Sequence, residues 1–196
     1  HEKRAQKKRE DILAAAQELF LSNGLSVVTI EQIADMAHVS RVTLFKYFGD
    51  KENLVRETVL LWVTALLQEF DKIAESNQPF HEKLFAVLHL QIAGIQLPNN
   101  KSIAVTIREN TELMSAIKEQ VVALGLPRMM SLIETGKREG AIDPALDNEA
   151  ILTYFAMFST VISDPAYIKR NTAYQKSMFD LFMAALIVDW RNMKDK

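Results

Sequence analysis

The stretch "TIEQIADMAHVSRVTLFKYF", from Thr29 to Phe48, constrains the fold more tightly than any other part of the chain. Ile30, Ile33, Ala34 and Ala37 recur at the spacing of one helix face. The pattern stops at His38-Val39 and resumes at Leu44, Phe45 and Phe48. Each segment is barely two turns long, and a helix that short does not hold in water by itself. The sequence therefore predicts two short helices joined by about three residues and held by packing on a third, a helix-turn-helix. The third helix lies upstream, where Ile12, Leu13, Ala16, Leu19 and Phe20 form one stripe and Gly24 stands where a left-handed cap would end it. Thr29 reads as the N-cap of the next helix, with Gln32 three residues on completing a capping box. Ser40 caps the following one, which ends at Phe48-Gly49, and the small Ala34 lets the two approach closely.

The apolar stripe leaves Arg41, Val42, Thr43, Lys46 and Tyr47 outside it. Thr43, Lys46 and Tyr47 fall at i, i+3 and i+4, so a hydroxyl, an ammonium and a phenol share one surface. Such donors suit a major-groove edge and its flanking phosphates. Net charge is −2, so the chain is no bulk polycation and any affinity for nucleic acid must come from a local patch. The first nine residues hold Lys3, Arg4, Lys7, Lys8 and Arg9 against Glu2 alone. That run reads as a solvated helix start or, beside a DNA-reading head, as a phosphate or minor-groove contact.

The remainder also reads as helix. Asp50 caps a long fourth helix whose stripe is Val55, Val59, Trp62, Leu66, Phe70 and Ile73. Pro79 and Pro98 bracket a fifth over 80–95, a short sixth follows over 101–109, and a seventh over 112–138 must kink or break at Gly125 and Pro127. "EGAIDPALD" is a turn-rich connection, and two strongly apolar helices over 147–163 and 172–192 flank "SDPAYIKRN". No alternating strand pattern, internal repeat or Gly/Ser linker appears. The expectation is an all-α chain: a three-helix helix-turn-helix domain over residues 1–49, joined by a long helix to a larger helical domain over 50–196.

Several function classes find no support in the residues. His81 and His89 stand eight apart, no "HExxH" spacing occurs, and no Gly-rich phosphate loop, nucleophile elbow or carboxylate pair stands out. An enzyme is not expected, nor a metal or other cofactor. Cysteine is absent, which excludes disulfides and thiolate metal sites. No apolar run approaches ~18 residues, so no membrane span is expected. With a charged N-terminus that lacks an apolar signal core, these features point to the cytoplasm.

The run "ILAAAQELFLSNGLSVVTIEQIADMAHVSRVTLFKYFGDKENL", within residues 10 to 56, resembles the DNA-binding domain of the TetR family of bacterial repressors. The resemblance rests on "A..LF...G", "T...IA", "VS..TL" and the aromatic pair before "DKENL". It implies that Arg41, Val42 and Thr43, behind the cap Ser40, open a recognition helix and approach bases. Lys46 would reach a base or a phosphate. Tyr47, Lys51 and the Thr29 hydroxyl would hold phosphates, aided by the positive ends of the helices beginning after Thr29 and Asp50. Three positions depart from the family's pattern. Phe45, where Tyr is usual, lacks a hydroxyl; His38 replaces a turn Gly, at a site His tolerates better than most residues; Val42, where Gly or Pro is usual, adds an apolar contact for a thymine methyl.

Beyond residue 56 the resemblance is architectural. It implies that the last two helices pair with their copies from a second subunit in a four-helix bundle. The two stripes are Tyr154, Phe155, Phe158 and Ile162, and Met178, Leu181, Phe182 and Ala185, which a monomer has little left to cover. It also implies an effector cavity, with Trp62, Leu66, Phe70, Phe85, His89, Met114, Met129 and Met130 as candidate walls. Methionine suits adaptable apolar pockets, so an apolar or aromatic effector is favoured. The function implied is a homodimeric transcriptional repressor on a pseudo-palindromic double-stranded operator, released by a small molecule. The residues alone leave open a helix-turn-helix protein-interaction module, or a DNA binder without effector.

Overall fold

The computed structural model describes residues 2–95, 101–162 and 164–190. The extended elements among them are helical, as the periodicities require. The chain runs through α1 (Glu2–Asn23), α2 (Ile30–Met36), α3 (Arg41–Phe48), α4 (Lys51–Glu75), α5 (Phe80–Ile95), α6 (Lys101–Glu109) and α7 (Thr111–Gln120). It continues through α8 (Leu126–Arg138), α9 (Asn148–Ile162), α10 (Pro165–Ile168) and α11 (Thr172–Leu186). Pro98, expected to close α5, lies outside the described residues.

The expected break in the seventh helix takes a definite form. Between α7 and α8 the chain widens into a π-helical stretch, Val121–Gly125. Pro127, in the first turn of α8, donates no amide hydrogen and crowds the carbonyl four residues back, so a tight α-turn gives way there.

The end of α11 differs from expectation. The sequence predicts helix to 192, but α11 stops at Leu186 and residues 191 and 192 lie outside the described set. Ile187 turns extended and forms an isolated antiparallel bridge with Ile142, while the Val188 amide donates to the Ala141 carbonyl at 2.9 Å. Both isoleucines are buried, so burial of the turn-rich connection overrides helix continuation. The short α10 inside "SDPAYIKRN" also carries no helical periodicity in the sequence.

Two compact units form, one from residues 1–65 and 96–121, the other from 66–95 and 122–196. The division expected at 49/50 therefore falls inside the first unit. Its reason is packing: Ile12, Phe20, Ile33, Leu44 and Phe48 of the three-helix head share one buried cluster with Leu54, Val59 and Trp62 of α4 and with Ile103, Ile107 and Leu113 of α6 and α7. Gln120 Nε2 reinforces this by donating to Thr64 Oγ1 at 2.7 Å and to the Leu60 carbonyl at 3.3 Å. α4 supplies Lys51–Ala65 to the first unit and Leu66–Glu75 to the second.

The second unit packs α5, α8, α9 and α11 around Phe80, Leu84, Leu88, Leu132, Ile133, Ile151 and Phe182. Arg128 holds Asp71 of α4 with two bonds, Nε to Oδ1 at 2.8 Å and Nη2 to Oδ2 at 3.0 Å. Lys83, buried, donates to the Ala74 carbonyl at 3.0 Å in the last turn of α4, where a cation suits the negative helix end.

The terminal helices correct the idea that both apolar stripes await a second subunit. Phe155, Phe158, Ile162 and Phe182 are buried inside the second unit, where Phe182 stacks on Phe158 and Tyr154 at ring-centroid distances of 4.1 and 5.1 Å. Tyr154 and Met178 are half-buried. Of the eight residues, Leu181 and Ala185 face outward, Leu181 with 65% of its surface accessible. Met157, Val161 and Tyr174 share that exposure and were not anticipated.

Candidate nucleic-acid interface

Local bonding fixes both short helices. Thr29 is extended at φ −99°, its hydroxyl accepts from the Gln32 amide at 3.3 Å, and Gln32 Oε1 accepts from the Thr29 amide at 2.8 Å. The capping box is complete. The turn after α2 passes through His38 at φ 54°, and the Val39 amide returns to the Ala34 carbonyl at 2.9 Å. His38 thus adopts the left-handed conformation a glycine would favour. Ser40 Oγ then accepts from the Thr43 amide at 3.1 Å and lies 2.9 Å from Thr43 Oγ1, so the two hydroxyls bond each other.

α3 buries Leu44 and Phe48 and turns the rest outward. Arg41 and Lys46 are exposed, Val42 is 78% exposed, and Thr43 and Tyr47 are half-buried. Phe45 is exposed too. Gly49, at φ 79°, ends α3, and Asp50 Oδ1 caps α4 by accepting from the Asn53 amide at 2.7 Å. Lys51 Nζ reaches back to the Ser26 carbonyl at 3.3 Å, which ties the start of α4 to the loop before α2.

Charge on this face is partly committed within the unit. Arg41 Nη1 donates to Glu31 Oε1 at 2.7 Å. The Arg41 bond, with smaller help from the Glu31 amide and the Thr29 hydroxyl, holds the Glu31 carboxyl below its ordinary value. Arg9, counted in the sequence with the basic run, pairs with Glu57 of α4 and lies 5.3 Å over the Phe48 ring. It braces α1 against α4. Lys3, Arg4, Lys7 and Lys8 stay exposed, but on a helix that begins at Glu2. Tyr47 shares a surface cleft of mixed charge with Glu2, Lys3, Lys7, Glu10 and Asp11 of α1.

The comparisons with known proteins agree on one family. A model for bacterial regulatory proteins of the tetR family matches residues 12–58. An uncharacterised HTH-type transcriptional regulator of Bacillus subtilis, YhgD, is 30% identical over 157 residues, which span 78% of this chain and 79% of that protein. The chain belongs to the TetR family. Solved structures of regulators share its fold, one of them described as TetR-family. One from Mesorhizobium loti superimposes with a TM-score of 0.66 at 21% identity, covering 93% of this chain and 96% of that one. The fatty acid degradation regulator FadR from Bacillus halodurans does so with 0.62 at 20% identity, covering 90% and 98%. The span matched by the family model runs from within α1 through α2 and α3 into the first turns of α4. No helix among the described residues is long and apolar enough to cross a membrane.

The expected effector walls divide between the units. Trp62 and Met114 lie in the first; Leu66, Phe70, Phe85, His89, Met129 and Met130 lie in the second. Trp62 and Phe70 are buried in two separate apolar clusters, whereas Phe85, His89 and Met114 are exposed. Phe85 packs its ring on His89 at 3.9 Å and on Phe179 at 4.9 Å, and His89 Nδ1 lies 2.9 Å from the Phe85 carbonyl. Sequence reasoning missed Glu31 and Glu57. Glu31 meets its partner ten positions on, across a turn, and no periodicity marks that spacing.

Proposed function

We propose that this TetR-family protein is a homodimeric repressor that reads a pseudo-palindromic operator through α2 and α3 and releases it on binding a small effector. The carrying observation is that Ser40-capped α3 buries Leu44 and Phe48 while presenting Arg41, Val42 and Lys46 outward. Arg41, Val42 and Thr43 approach base edges in this reading, and Lys46 reaches a base or a phosphate. Tyr47, Lys51 and Thr29 take phosphates, with the first turns of α2 and α4 adding their positive ends. Lys51 must then leave the Ser26 carbonyl or bridge it to the phosphate.

Dimerisation is assigned to the outward faces of α9 and α11, where Met157, Val161, Tyr174, Leu181 and Ala185 are exposed. A two-fold pair would present two recognition helices about one DNA turn or somewhat more apart. The reading head in this proposal spans residues 1–49, and the effector acts on the part of the chain beyond it. The effector reading rests on α4, which is separated from the head by Asp50 alone and carries Trp62, Leu66 and Phe70. A ligand that shifts α4 changes the separation of the two heads, and coupling of about 1–3 kcal/mol per site weakens operator binding ~5- to 150-fold.

The test is enrichment of duplexes from a random pool, followed by titration at several salt concentrations. A selected pseudo-palindrome whose affinity falls steeply with salt is expected. No enrichment, or salt-independent binding, refutes the proposal in favour of a protein-interaction module.

A further inference from the structure

Glu31 is the second residue of α2, on the face that the proposed function turns toward DNA. Its carboxylate accepts from Arg41 Nη1 at 2.7 Å, and both side chains are more than half exposed. Such a pair adds little to stability. The two helices are already held by buried Ile33, Ala34, Leu44 and Phe48. An acid at a helix start suits the dipole, but beside phosphates it is repelled. A carboxylate in this place therefore costs DNA affinity unless it acts through Arg41.

The chemistry of the pair supplies that action. A guanidinium has five N–H donors, and Glu31 is bonded to Nη1 alone. An unpaired arginine at the start of α3 would bond the nearest phosphate in a charge-assisted contact, equally on every sequence. A phosphate contact here either draws the Glu31 carboxylate toward the polyanion along with Arg41 or strands it there when Arg41 leaves, and both are penalised by charge repulsion. A contact to a guanine O6 and N7 uses donors the pair leaves available and keeps the carboxylate neutralised. We propose that Glu31 is a specificity-determining residue of the DNA-reading surface, which withholds Arg41 from phosphates and presents its remaining donors to one base edge. The inference rests on the DNA-reading function proposed above. The lowered protonation range of Glu31 is consistent with it, since the carboxylate stays charged.

The experiment uses the full chain and a duplex enriched by the wild type, with a scrambled duplex as control. Affinities for both are measured over a salt series for wild type, Glu31→Gln and Glu31→Asp, and for Glu31→Gln in an Arg41→Ala background. Glu31→Gln should tighten scrambled binding and steepen its salt slope by about one ion per subunit. It should also lower the selected-to-scrambled ratio about fivefold or more, the discrimination one bidentate base contact carries. Glu31→Asp keeps the charge on a shorter arm, so it should hold scrambled affinity near wild type while losing discrimination. With Arg41 already removed, Glu31→Gln should leave the ratio unchanged. If Glu31→Gln tightens both duplexes by one common factor, Glu31 is a repulsive charge only and the inference is overturned. If the wild type enriches no duplex, the DNA-reading function fails and takes this inference with it.

Discussion

Leu181 and Phe182 are neighbours on α11 with opposite environments, so one substitution applied to each separates assembly from folding. Phe182 is 1% exposed and stacks between Phe158 and Tyr154, with Phe155 edge-on at 5.1 Å. Truncating such a ring costs about 3–5 kcal/mol. Phe182→Glu adds a buried carboxylate with no cation among those ring neighbours, and the sum rivals the ~5–15 kcal/mol that holds a typical domain. The second unit should therefore unfold.

Leu181 is 65% exposed, so Leu181→Glu leaves the monomer's core intact. In the proposed dimer it removes roughly two thirds of a leucine's ~1.5–3 kcal/mol burial from each subunit, about 2–4 kcal/mol by symmetry. At ~1.4 kcal/mol per decade the dimer dissociation constant should rise ~30- to 700-fold, before any carboxylate desolvation. Sedimentation velocity at micromolar concentration, with circular-dichroism melts alongside, reads both. The expected result is a folded monomer for Leu181→Glu and an unfolded or aggregated chain for Phe182→Glu. A Leu181→Glu dimer of wild-type strength, or a folded Phe182→Glu monomer, would refute the assignment of faces.

Three further outcomes follow from single sites. A Cβ on Gly136 would lie 2.4 Å from Phe80 Cζ, so Gly136→Ala should destabilise by about 1–3 kcal/mol, less up to ~1 kcal/mol of regained helix propensity, and Phe80→Leu in the same chain should recover part of the loss on thermal melting. Lys46→Ala should cost roughly 1–3 kcal/mol on the selected duplex if Lys46 reads a base, but the same factor on all duplexes if it holds a phosphate; titration against single-base variants decides. Burial raises the Tyr154 phenol above its ordinary value of 10.0, so the folded state favours the neutral form and its stability falls as pH climbs from 10 toward the raised value; denaturant midpoints across that range should decline less in Tyr154→Phe.

Much of the reading head was legible because its signals are local. Thr29 with Gln32, Ser40, Asp50 and the positive φ of Gly24 each follow from neighbours within a few residues, whereas the positive φ of His38 is implied only by the family resemblance, and the structure has each in place. The terminal helices were legible as helices but not as faces. Phe155, Phe158 and Phe182 have the same apolar character as Leu181, and periodicity cannot say whether a stripe meets its own chain or a copy. The early stop of α11 depended on Ile142, forty-five residues away, and such non-local pairing leaves no trace in a helical pattern. Charge partners were hidden for the same reason: Arg9 reads as one more cation in a basic run until folding brings Glu57 beside it.

Those partners also explain how a chain of net charge −2 can meet a polyanion. Glu57 neutralises Arg9, Glu31 neutralises Arg41, and Lys51 is turned to a carbonyl, so these three cations of the first unit already have internal partners. Exposed positive charge is left to Lys46 and to Lys3, Arg4, Lys7 and Lys8 at the start of α1. Each phosphate such a group neutralises contributes about 0.9 to the slope of log affinity against log salt. In the proposed DNA-reading function, affinity for arbitrary sequence would rest on the rim of the reading surface. Its centre, around Arg41 and Val42, would gain mainly where the base edges match, because Arg41 is already held by Glu31 and Val42 offers only an apolar group. In the proposed dimeric repressor, a surface divided this way would bind random DNA weakly and reserve most of its binding energy for one sequence among many competing sites.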